Sequence, residues 1–216
     1  MPAFRRRPVL QAIAAVAAAG FVALAFALLA TPAHYAPADP ASSATLRMGE
    51  ATENAVAREL SRVRPAAADS PAGSYASAPW ELSFDEEQLN AWLGARLPQW
   101  LASRDAAMPA GLSSPAVRVE PGRITVAATY GSIVGEVVLS LTLLVQGGTS
   151  PRLTPEALRA GNLPVPLDAL PLSLPLDRWL SHVAEPIRLE DGRAVEVLGI
   201  EATDAALTVR CRTVKR

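Results

Sequence analysis

Pro8 to Ala30, PVLQAIAAVAAAGFVALAFALLA, is a run of 23 residues without a charged side chain, directly after Arg5, Arg6 and Arg7. As a helix rising ~1.5 Å per residue it reaches ~34 Å, enough for a hydrocarbon core of ~30 Å. Residues 8–30 are therefore expected to be a transmembrane anchor. Three arginines lie upstream and no positive charge follows until Arg47, so the positive-inside rule keeps residues 1–7 in the cytoplasm. The expected location is the cytoplasmic membrane, crossed once, with the C-terminal domain on the extracytoplasmic side. A cleaved secretory signal is the competing reading, but such signals have apolar regions of ~7–15 residues and end at a small-residue site. The nearest such triplet, Ala36-Pro37-Ala38, has proline at its centre and lies beyond the run. Both readings put the remainder outside the cytoplasm.

Residues 31–79 read as a linker. Thr31 to Ala44 is rich in proline and small residues, and Pro65 to Pro79 has the same character. Between them, residues 45–64 carry Val56, Leu60 and Val63 at i, i+4 and i+7 among charges, a narrow stripe. A solvated stalk helix is expected, the alternative being a helix packed on the domain or on a second copy. The compact domain is expected over 80–216, a length suited to one domain.

Ser83 with Glu86 three residues later has the form of a capping box, and Asp85 adds favourable charge to the first turn. Leu89, Trp92, Leu93, Leu97, Trp100 and Leu101 then recur on one side at helical spacing. Pro98 removes a helix hydrogen bond and predicts a restart near Leu97. Asn90 falls at the margin of the stripe beside Leu93 and Leu97. A half-buried amide needs partners, so Asn90 is expected to lock the helix to backbone of an adjoining strand.

Strands are predicted by alternation. Ala116 to Glu120 and Arg123 to Tyr130 flank Pro121-Gly122, a turn pair, and read as a hairpin. Glu136 to Gln146 places Val137, Leu139, Leu141, Leu143 and Val145 on one face, and Glu136, Ser140 and Thr142 on the other, which is expected to be wet. Around Thr203-Asp204 a second hairpin closes the chain. Half-buried alternation favours antiparallel strands, so the fold class is α+β: a curved antiparallel sheet packed on or wrapped around a few helices. Leu163 to Val183 is apolar and broken by four prolines, settling from Pro175 into a short helix with Trp179. It reads either as a buried connection or as the lip of a lipid-accepting groove.

The anchor, LSFDEEQLNAWL, the first hairpin, the long strand and AGNLPVPL occur in an order that resembles the YpmS-like family of membrane-anchored extracytoplasmic proteins. Leu89 and Asn90 match its helix motif, and Leu163, Pro164, Val165 and Pro166 its proline element. The chain is similar also to tubular lipid-binding domains, and that resemblance implies a strongly curved sheet around a helix, with an apolar channel for acyl chains.

With 20 Lys+Arg against 21 Asp+Glu the net charge is -1, which gives no general attraction for nucleic acid. His34 and His182 are the only histidines, so no histidine metal cluster is available, and no nucleophile motif or phosphate loop occurs. The single Cys211 alternates inward as a small core residue. No catalytic residue, metal or cofactor is expected. A non-enzymatic domain binding a lipid or other apolar molecule between sheet and helix is the first reading, with Leu89, Trp92, Leu93, Val137, Leu139, Leu141, Leu143, Leu163, Val165 and Trp179 as the candidate groove. A scaffold for another cell-envelope protein is the second.

Overall fold

The computed structural model describes residues 22–68, 75–103, 105–142, 152–166, 186–204 and 206–215. Residues 22–29 are helical (α1), and 8–21 of the expected anchor lie outside the described residues. Among the described residues no helix is long and apolar enough to cross a membrane. The chain continues through α2 (Ser43–Ser61), β1 (Tyr75–Ala76), β2 (Trp80–Asp85), α3 (Glu86–Ala95), α4 (Leu97–Ala102), β3 (Leu112–Glu120), β4 (Arg123–Tyr130) and β5 (Ile133–Thr142). It ends with β6 (Arg152–Ala160), β7 (Leu163–Val165), β8 (Ile187–Arg188), β9 (Arg193–Ala202) and β10 (Ala206–Lys215).

Helix and antiparallel sheet are both present, an α+β arrangement, but the strands divide into two sheets where one was expected. One runs β3-β4-β5-β6-β7; in the other β10 pairs with β9, then β8, on one side and with β1 and β2 in succession on the other. The C-terminal hairpin finds its second edge in Trp80–Asp85, so it has no need of β5. The sheets meet where Gly122 N–H donates to Ala202 O at 2.9 Å, above a core of Val119, Ile124 and Ala202 flanked by Leu89, Val117 and Leu207.

Because Trp80–Asp85 pairs residue by residue with Cys211–Ala206, Ser83 lies inside a strand and does not cap the helix. Its Oγ sits 3.2 Å from Thr208 Oγ1 instead. The cap is Asp85, whose carboxylate accepts the Gln88 N–H at 2.7 Å while Gln88 Oε1 accepts the Asp85 N–H at 3.1 Å, the same box two residues later. Freed from capping, Glu86 accepts the Val119 N–H at 3.0 Å. The helix stops at Ala95 and restarts as α4 with Pro98 in its first turn, where proline lacks only a donor that would go unused.

The stretch read as linker and stalk is woven into the fold. Gly49 of α2 is buried against α3: a Cβ there would stand 3.0 Å from Ala91 O and 3.2 Å from the Ala95 Cβ. Arg64 stacks 3.8 Å over the Trp80 ring, and Tyr75 pairs with Lys215. Residues 34–36 lie across the β3–β5 face, where the Tyr35 hydroxyl donates to Ser114 O at 2.5 Å and meets Thr129 Oγ1 at 2.8 Å. This strap overturns the wet face: Thr125, Ala127 and Glu136 beneath it are buried, Glu136 at 1 % exposure. On the other side Val126 is 40 % exposed and Val137 half-buried.

Candidate functional site

The helices α2 and α3 approach closely at Gly49, Ala91 and Ala95 because all three are small. Further along α2 the facing side chains are larger, and the space between becomes a groove of about 410 Å³. Val56 and Leu60, one turn apart, form its α2 wall together with Ala57. Phe84 enters from β2, Leu89 and Trp92 from α3, and Trp100 from α4. Trp92 and Trp100 meet edge to face, ring centres 6.2 Å apart and planes at 65°, which fixes the angle across the Arg96 break.

At the rim, Arg96 Nε donates to Glu53 Oε2 and its NH1 to Gln99 Oε1 at 2.7 Å. That bond to Glu53 holds the guanidinium pKa above its ordinary value. The groove is thus mostly apolar, with Thr52 and Glu53 as its polar lining, and its volume lies in the ~300–1,000 Å³ range of small-molecule sites.

Only part of the expected groove is brought together. Leu89 and Trp92 line it, whereas Leu93 is half-buried elsewhere on α3. Val137 lies on β5, and α3 packs along β3 and α2 rather than over the β5 face. Leu163 and Val165 are half-buried in β7 at the sheet edge. Leu139 and Leu141 belong to β5, with side chains outside the described residues; Leu143 and Trp179 lie outside them altogether, as does His182. The α2 wall and Phe84 were missed as groove residues, although the Val56 and Leu60 stripe was visible; nothing local said where it docks.

Asn90 is buried at the β3 edge, where its Oδ1 accepts the Val117 N–H at 2.7 Å and its Nδ2 donates to Val117 O at 2.8 Å. The amide thus imitates a neighbouring strand. Glu136, also missed, faces His34, whose Nε2 lies 2.7 Å from Oε1. Cys211 is buried, and desolvation pushes its thiol up to about 11, so the nucleophilic thiolate is disfavoured. Among the described residues no group of three or more His, Cys, Asp or Glu is placed to hold a metal ion. No family model, curated protein or solved structure matches this chain.

Proposed function

We propose that this is a non-enzymatic, single-pass membrane protein whose folded part lies outside the cytoplasm and binds a lipid acyl chain or a similar apolar molecule. The binding place is the groove between α2 and the α3–α4 pair. This departs from the sequence-based expectation of a site between helix and sheet, because α3 packs along β3 and α2 rather than over the Val137 face of β5. The carrying observation is the groove's lining, in which Val56, Leu60, Phe84, Leu89, Trp92 and Trp100 outnumber the polar Thr52 and Glu53. The 23-residue apolar run supports the anchor, and the resemblance to tubular lipid-binding domains belongs to the same proposal.

The test is native mass spectrometry of the full chain released gently from phospholipid nanodiscs. Wild type should carry bound lipid, and Val56→Glu, which places a charge in the groove wall, should lose it while keeping its circular dichroism. A lipid-free mass for wild type would overturn the reading and leave the envelope-scaffold alternative. Lipid retained by Val56→Glu would move the site elsewhere.

A further inference from the structure

The apolar run does not leave the fold on a loose tether. Asn162 N–H donates to Ala27 O at 2.9 Å, and Gly161, at φ +57°, sits where a Cβ would be 2.3 Å from Leu28 O. Only glycine fits that position. Beyond the helix the chain has little slack: Pro32 is buried, and Tyr35 and His34 are fixed to β3, β4 and β5. Much of α1 is uncovered, since Val22, Leu24, Phe26 and Leu29 are 51 to 72 % exposed.

Ala27 precedes the end of the apolar run at Ala30 by about 5 Å at ~1.5 Å per residue. If the run enters a bilayer, the turn between β6 and β7 must therefore lie at the hydrocarbon boundary. That turn has neighbours. Gly135 pairs with Ala160 and Leu112 with Tyr130, so the β4–β5 turn and the start of β3 stand at the same end of the sheet, spaced by ~4.8 Å per strand.

This end carries no charge in Pro109–Ser114, Thr129–Gly135 or Ala160–Pro164. Tyr130 projects from it at 64 % exposure, the residue type favoured at membrane interfaces. One residue back, Arg159 is exposed at a height suited to lipid phosphates. At the opposite end the β3–β4 turn is flanked by Glu120 and Arg123, and ion pairs Arg118–Glu120 and Arg123–Glu156 stand near it at 3.1 and 2.9 Å.

We infer that the uncharged turn end of the β3–β7 sheet, with Tyr130 and the β4–β5 and β6–β7 turns, rests on the lipid headgroups, so that the domain stands on the membrane in one fixed orientation. The inference rests on the anchor reading and adds a contact surface to it.

Spin-label accessibility tests it. The full chain carries a nitroxide at Ser132→Cys, in the β4–β5 turn, or at Pro121→Cys, in the charged turn at the far end; buried Cys211 does not compete for label. In phosphatidylcholine vesicles the oxygen-to-nickel-chelate accessibility ratio should be severalfold higher at 132 than at 121, where it should match water. Gly161→Val should lower the ratio at 132 while the protein still floats with the vesicles. Flotation with equal, water-like ratios at both positions overturns the orientation and leaves the anchor intact. Failure to float overturns the anchor reading, and this inference with it.

Discussion

The β3–β7 sheet is gripped in two places by polar side chains, and the two grips are built differently. At its edge, α3 offers Asn90 and Glu86 to the Val117 and Val119 backbone, so that donors and acceptors are matched along an otherwise open strand. On its face, the strap offers Tyr35 and His34, and the deepest contact is with a carboxylate 1 % exposed. The edge grip is local to a helix and its neighbouring strand, and every group in it is satisfied. The face grip sets His34, from a segment distant in sequence, against Glu136 on β5. A fully paired amide locks geometry, whereas a buried charge makes the fold conditional on its counterpart.

The sharpest way to break the edge grip is Asn90→Leu. It leaves the Val117 N–H and C=O without partners at a half-buried place, each costing about 1–3 kcal/mol, so a loss of about 2–6 kcal/mol is expected in urea unfolding of the full chain. Asn90→Asp keeps the acceptor and loses the donor, and should fall between. A change below about 0.5 kcal/mol, the scale of ordinary surface substitutions, would show that the edge is held some other way.

The face grip should give a smaller figure with a diagnostic rescue. His34→Ala removes the partner of Glu136, and because His34 is 30 % exposed the loss should be about 1–3 kcal/mol, below the ~3–5 kcal/mol of a fully buried pair. Glu136→Gln in the His34→Ala background removes the charge and should recover much of that. Additive effects of the two substitutions in the double-mutant cycle would mean the residues do not speak to each other.

What could be read from the sequence follows the same division. The two hairpins were legible because alternation and turn residues at Pro121-Gly122 and Thr203-Asp204 agree, and Asn90 was legible as an amide in need of backbone because its position on the stripe is a local fact. β6 was not, since Pro155 argues against a strand; the fold accommodates it opposite Leu139, where the register shifts. Glu136 was assigned to water because a lone charge in an alternating strand normally faces it, and its partner lies in a segment with linker composition. Only two residues of the groove were legible, for a similar reason. Leu89 and Trp92 announce an apolar helix face, but the chain that closes over them, α2, is chosen by tertiary packing at Gly49, which no periodicity records.

The smallest effect bears on how α3 is set against the edge. Ser83 and Asp85 both have capping side chains, and Glu86 and Gln88 each stand three residues on, so the sequence offers two boxes two residues apart. Choosing Ser83 would unzip the end of β2 from β10, and the strand pairing decides for Asp85. Asp85→Ala should therefore cost about 1 kcal/mol, the usual loss of an N-cap. Ser83→Ala removes only an exposed hydroxyl contact with Thr208 and should stay within about 0.5 kcal/mol. The reverse order in thermal or urea unfolding would mean that the helix begins at Ser83. Glu86 would then be drawn back into the cap, the Val119 N–H would lose its acceptor, and the edge grip would rest on Asn90 alone.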